Sequence, residues 1–170
     1  GAWVSVYAKM PGMTRLSGRL NPPYRYDPIQ GLAEAGATVL INLSASPFHA
    51  GKEKLHCRLI SNHARRHQIP FVYVNQVGGN DELIFDGHSL AVNEQGELLA
   101  IGAGFKEDIR TFDLDTPGPA ITYCPEDEIA SVYHALVLGL RDYVHKSGFS
   151  RAIVGLSGGI DSSLTACLAV

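Results

Sequence analysis

The run Ala152-Ile153-Val154-Gly155-Leu156 passes directly into Ser157-Gly158-Gly159-Ile160-Asp161-Ser162-Ser163, and this junction limits what the chain can be more than any other stretch. Five apolar, branch-rich residues read as a buried strand, the glycines as a tight turn, and the residues from about Ser162 as a new helix. A phosphate needs many donors close together and no side chains in the way. Gly158 and Gly159 let backbone N–H groups approach a ligand, and a helix N-terminus adds unpaired N–H groups and a partial positive charge. The hydroxyls of Ser157, Ser162 and Ser163 can donate to phosphate oxygens. Asp161 cannot, because like charges repel, so its natural task is to hold a magnesium ion that bridges to phosphate. Gly-Gly alone is a common strand-to-helix turn; the full string behind an apolar strand is far more specific. The Gly-x-x-x-x-Gly-Lys phosphate loop is absent, as is a dinucleotide fingerprint.

Upstream, Asp27 and Pro28 look like the cap and first residue of a helix that Gly36 ends. The run Thr38-Val39-Leu40-Ile41-Asn42-Leu43 reads as a strand buried on both faces. A loop, 44–51, leads to a helix over about 52–67 with Leu55, Leu59, Ile60 and Ala64 inside. A second strand is expected over 71–77, a turn at 78–81, and short strands over 83–85, 89–92 and 98–101. This half is βαβ followed by a hairpin meander. Residues 106–124, with Asp115-Thr116-Pro117-Gly118-Pro119, form the best linker. A helix over about 125–147 follows, with acids first and cations last. Its expected apolar face is Ile129, Val132, Tyr133, Leu136, Leu140, Tyr143 and Val144. Residues 1–26 suggest no element.

Hydrophobic residues make up 45% of the chain, charged residues 18%, and the net charge is −3. That composition can bury a core and has no general attraction to nucleic acid or anionic membranes. No run approaches the roughly 20 apolar residues of a bilayer span, and no secretory signal is seen. Cys57, Cys124 and Cys167 fit neither a disulfide framework nor a zinc pattern, which favours a reducing cytoplasm. Cys57 and Cys167 read as small buried hydrophobes. His63 and His67, four apart, could ligate a metal, but a basic helix face is the better reading. A start on Gly1 and a stop at Val170 inside an apolar stretch read as a piece of a longer protein.

The Ser157–Ser163 string resembles the signature of the N-type ATP pyrophosphatases, which adenylate an acid and let an amine displace AMP. Which branch is decided upstream. Ile41 to Phe48 with Gly51-Lys52, Tyr73 to Gly79, and Asp81 to Ser89 resemble the nitrilase-type glutaminase domain of the glutamine-dependent NAD synthetase family. Tyr133 to Val144 is similar to that family's passage into its synthetase domain. The resemblance covers residues 24–170. It implies an α/β fold: the C-terminal part of a nitrilase-like α/β sandwich (21–118), then a linker helix and the first strand-loop-helix of a doubly wound parallel-sheet domain (119–170). Residues 1–20 are atypical and unassigned.

The resemblance also implies the chemistry. Glutamine is hydrolysed in one domain, and its ammonia completes the amide of NAD on adenylated deamido-NAD in the other. Ser46 and Lys52 match glutamine-contacting positions, which suits a hydroxyl and a cation facing a polar, carboxylate-bearing ligand. Gly155, Leu156, Ser157, Gly158, Gly159, Ile160, Asp161 and Ser162 match the ATP site, with Asp161 on Mg2+. Large homo-oligomers are implied for the whole enzyme. The family's glutamate, lysine and Cys-Glu-Asp nucleophile string have no counterpart here, so no catalytic residue is assigned and the piece alone is expected to be inactive. Two other readings stay open: a non-catalytic nitrilase-like scaffold that binds a partner, and an amide ligase acting on another carboxylate.

Overall fold

The structure is a computed structural model and describes residues 27–116 and 118–170. The atypical start therefore lies outside the described residues. Helix α1 (Pro28–Glu34) begins as its sequence requires. The Asp27 carboxylate accepts from the Ile29 and Gln30 backbone N–H groups at 3.0 and 3.3 Å, and a proline occupies the first turn.

Strand β1 (Leu40–Ser44), helix α2 (Lys52–His67) and strand β2 (Phe71–Asn75) form the expected βαβ unit, with β1 and β2 parallel. Strands β5 (Leu90–Val92) and β6 (Leu98–Ile101) add antiparallel, giving a four-stranded sheet in the order β1-β2-β5-β6. Helices α1 and α2 cover one face. Ile29, Leu40, Ile60, Ala64, Phe71, Tyr73, Leu90 and Val92 meet there as the core. The expectation that the first strand is buried on both faces fails. β1 is an edge strand with helices on one side only, and Leu43 on the other side is 48% exposed.

The structure departs from expectation at further points. The inner line of α2 is His56, Ile60 and Ala64 with Ser61, whereas Leu55 is exposed. The second strand does not run on to residue 77. Gly78 and Gly79, expected in a turn, lie in strand β3 (Val77–Asn80), which pairs antiparallel with β4 (Leu83–Asp86) as a separate two-stranded sheet. The turn is confined to Asp81 and Glu82. Helix α3 (Glu128–Lys146), capped by Asp127, buries Ser131, Ala135 and Leu138 rather than its apolar stripe. Ile129, Tyr133 and Tyr143 are exposed, because the side of α3 with small residues is the one that can approach β3 and β4 closely.

Helix α4 (Ile160–Ala169) begins two residues earlier than expected and packs on α3. Residues 152–156 carry no strand, and Ile153 is almost fully exposed. A parallel strand exists only by pairing, and among the described residues no strand lies beside this one. Cys167 is exposed rather than buried, since α4 buries none of its residues.

Candidate functional site

Two groups of residues singled out by sequence sit in different places: one between β1 and α2, the other between α3 and α4. At the first, the chain leaves β1 at Ser44 and must reach the start of α2 at Lys52. Gly51 makes the last step in the left-handed region, φ 75°. Lys52, the first helical residue, turns back over this loop, and its Nζ donates to the Pro47 carbonyl at 2.9 Å. Phe48 N–H donates to the Ile84 carbonyl at 2.6 Å, tying the loop to β4. The loop is thus fixed from both sides.

Ser46 is held by a residue that sequence reasoning passed over. Asn75, at the end of β2 and 7% exposed, accepts from Ser46 N–H at 2.8 Å and donates to the Ser46 carbonyl at 3.3 Å. Its amide also donates to Asp86 Oδ1 at 3.4 Å, and its own N–H donates to Ser89 Oγ at 3.0 Å. The signal available was a polar residue closing an apolar strand, Phe71-Val72-Tyr73-Val74-Asn75. Asp86 stands out in the sequence only as one residue of the Asp81–Ser89 stretch of family resemblance. It is buried, bonds Asn75 through one oxygen, and faces His88 Nδ1 at 3.0 Å through the other.

The electrostatics follow from burial. Lys52 has a lowered pKa because it is partly desolvated, and the Asp86 carboxylate opposes the shift. His56 lies beneath Lys52 with its ring edge-on to Tyr73 at 5.0 Å. Burial, then the Lys52 charge, lowers its pKa to about 4, so it is neutral at physiological pH. Burial pushes the Tyr73 hydroxyl up to about 12. A lysine ammonium above neutral, buried rings is suited to pairing with a carboxylate of a small ligand. Cys57 is no nucleophile here, since burial and the nearby Glu53 raise its pKa and keep it a thiol.

The second place is the Ser-Gly-Gly loop. Gly158 takes φ 84°, a conformation L side chains rarely adopt, and the turn opens onto the N-terminus of α4. That N-terminus has no side-chain cap, which leaves its first N–H groups available to an anion. The serine hydroxyls are engaged within the loop: Ser157 Oγ and Ser162 Oγ are 3.1 Å apart, and Ser163 Oγ donates to the Gly159 carbonyl at 2.9 Å. Gly155 and Leu156 are exposed on the way in. Asp161 sits in the first turn of α4, also exposed. Among the described residues no three His, Cys, Asp or Glu side chains gather to hold a metal. A single carboxylate fits a magnesium ion that arrives with phosphates and keeps its waters, rather than one caged by protein. His63 and His67 stack with ring centroids 6.3 Å apart on the face of α2.

The family model for carbon-nitrogen hydrolases matches residues 26–118, more than half of the chain. The chain belongs to the carbon-nitrogen hydrolase family. Beyond that segment, the NAD synthase family model matches residues 132–170. The glutamine-dependent NAD(+) synthetase of a Synechocystis species is 48% identical over 86% of this chain, and that of Acinetobacter baylyi 39% over 83%. A solved glutamine-dependent NAD+ synthetase from Acinetobacter baumannii, in complex with ADP, superposes with a TM-score of 0.76 at 40% identity over 84% of the chain. The chain spans 27% of the length of the two curated relatives and 28% of the solved one. It therefore joins a segment that matches the carbon-nitrogen hydrolases to one that matches the NAD synthases. No helix among the described residues is long and apolar enough to cross a membrane.

Proposed function

We infer that this chain is the part of a glutamine-dependent NAD synthetase that holds glutamine by its carboxylate end and cradles the phosphates of ATP. The reaction is the ATP-dependent amidation of deamido-NAD to NAD. Glutamine supplies ammonia in the carbon-nitrogen hydrolase portion (residues 21–118). The nicotinate carboxylate is adenylated in the synthetase portion, which begins in residues 119–170. One observation carries this reading: a braced Ser46–Lys52 loop lies in the segment that matches the carbon-nitrogen hydrolase model, and an uncapped Ser-Gly-Gly turn lies in the segment that matches the NAD synthase model, with α3 between them in the chain.

In this assignment Lys52 pairs with the α-carboxylate of glutamine and the Ser46 hydroxyl bonds its polar end. The backbone of residues 155–162 wraps the ATP phosphates. Asp161 would hold Mg2+, which when bound offsets phosphate charge. The protein works in the cytoplasm as a homo-oligomer, without nucleic acid or membrane as partner. The test is a chimera in which residues 27–170 replace the matching segment of the Synechocystis relative, assayed for NAD from deamido-NAD and ATP. Synthesis with glutamine and with ammonia is expected. Synthesis with ammonia alone would remove the glutamine assignment, and synthesis with neither would reduce the chain to a scaffold.

A further inference from the structure

His88 is an anomaly in the backbone. It follows Gly87 in the left-handed region at φ 51°, a conformation that is uncommon and costly for a residue with a Cβ. Its ring occupies a notch that exists only because residue 104 is glycine: a Cβ there would stand 2.1 Å from His88 Nε2. Phe105, itself at φ 57°, closes the notch edge-on to the imidazole at 5.4 Å. Within it, Nδ1 meets Asp86 Oδ2 at 3.0 Å, and Nε2 faces Glu53 Oε2 at 4.0 Å. Glu53 is the neighbour of Lys52 in the first turn of α2.

We propose that His88 is a positioning residue for Lys52: its imidazolium, seated between Asp86 and Glu53, draws the Asp86 carboxylate away from the Lys52 ammonium and leaves that ammonium free for a ligand carboxylate. Asp86 is the shared element. It acts on Lys52 through charge, on Asn75 through one oxygen and on His88 through the other. When His88 loses its proton, Asp86 keeps its full charge and competes with the ligand for Lys52. The inference rests on the reading of Lys52 as the carboxylate anchor, and adds to it a residue that sets its strength and its dependence on pH.

The charges around His88 favour its protonated form. Burial alone would lower its pKa, but the Asp86 hydrogen bond and the charges of Glu53, Asp86 and Glu126 outweigh it, and the net shift is upward. Opposing cations come from α2, where Lys52 lies one turn from His56, itself neutral. Across the adjoining cleft stand Lys106, Arg141 and His134, the last paired with Glu126 at 2.8 Å. The switch therefore falls above the ordinary histidine value.

The experiment is an NMR pH titration of the full chain, following the His88 ring and the Lys52 ε-methylene and Nζ together. Expected is a His88 midpoint above 6.5, with a second inflection of the Lys52 signals at that same pH. His88→Asn, which tolerates the left-handed backbone, should erase the Lys52 inflection. So should Gly104→Ala, which keeps the histidine but displaces its ring. Lys52 signals that stay flat through the His88 titration, or an inflection that survives both variants, overturn the proposal. A titration with L-glutamine separates it from the reading beneath it. Glutamine should perturb Lys52 at roughly threefold to tenfold lower concentration below the His88 midpoint than above it. Equal sensitivity on both sides overturns the role of His88 alone. No perturbation of Lys52 at any pH strikes the carboxylate-anchor reading and takes the proposal with it.

Discussion

Asp142, in the last third of α3, accepts a hydrogen bond from the Gly79 N–H of β3 at 2.8 Å, across 63 residues of sequence. One turn on, Lys146 Nζ donates to the Gly79 carbonyl. Acid and cation four apart on one helix face thus satisfy both polar groups of one strand residue. The contact needs two glycines. A Cβ on Gly79 would lie 3.1 Å from Gly139 Cα, and one on Gly139 would lie 2.9 Å from Ile84 Cδ1. Gly79→Ala should push α3 off the hairpin, and Asp142→Ala should leave a buried N–H unpaired at a cost of about 1–3 kcal/mol. Hydrogen exchange checks this: faster exchange at Gly79 and along α3 is expected, with α2 and β2 unchanged.

Asn75→Ala removes both bonds that hold the Ser46 backbone and leaves the buried Asp86 without its amide partner. Loss of stability on the order of 1–3 kcal/mol is expected, together with faster exchange of the Ser46 N–H. Denaturant unfolding and exchange at Ser46 measure the two effects. An unchanged Ser46 would mean that Lys52 and Phe48 alone fix the loop.

Acidification should weaken the hydrolase portion through His56. Its folded pKa, about 4, lies below the unfolded value of 6.5, so its contribution to stability is complete above pH 6.5 and is lost as pH falls towards 4. The full span corresponds to on the order of 3 kcal/mol. His63, also lowered by burial, acts in the same sense. His88 acts in the opposite sense, stabilising below 6.5 and losing that effect as pH rises through its own raised value. Unfolding midpoints between pH 7 and pH 4 are the measurement. His56→Phe should remove most of the decline, keeping a ring against Tyr73 without a site for the proton.

Where sequence alone succeeded and failed has a physical pattern. The Asp27 cap, the βαβ unit and the presence of α3 are set by neighbours in the chain, so periodicity and capping residues reveal them, although α3 starts at Glu128 behind an Asp127 cap rather than at about residue 125. The inner face of α2 is not, because it is built around a polar ring: His56 is buried on Tyr73 while Leu55 faces out. Gly78-Gly79 looked like a turn because the cause of those glycines, α3, is some sixty residues away. The strand expected over 152–156 depends on partners that no local pattern supplies. Ser46 and Lys52 were singled out through resemblance, and the structure places both at the loop between β1 and α2. Asn75, Asp86 and His88 were not, since each looks like a strand end or turn until the fold brings them together.

Asp161→Asn should separate the two candidate sites. Asp161 is exposed in the first turn of α4, beside N–H groups that no side chain caps. An anion there would repel a triphosphate unless a cation lies between them, so its presence argues for magnesium. Asparagine keeps the shape and removes the charge, and α4 loses only a modest favourable interaction with its dipole, roughly 0.3–1 kcal/mol. Folding should therefore survive. In the chimera, NAD formation should fall by at least about a hundredfold with either nitrogen donor, the scale of several kcal/mol of lost charge stabilisation. Raising magnesium should recover part of it. Glutamine hydrolysis should persist, because Lys52 and Ser46 lie in the other portion of the chain. The measurement is NAD formation from deamido-NAD, ATP and ammonia across a magnesium titration. Near-normal rates at ordinary magnesium would take Asp161 out of the metal site and leave a phosphate cradle of backbone N–H groups alone.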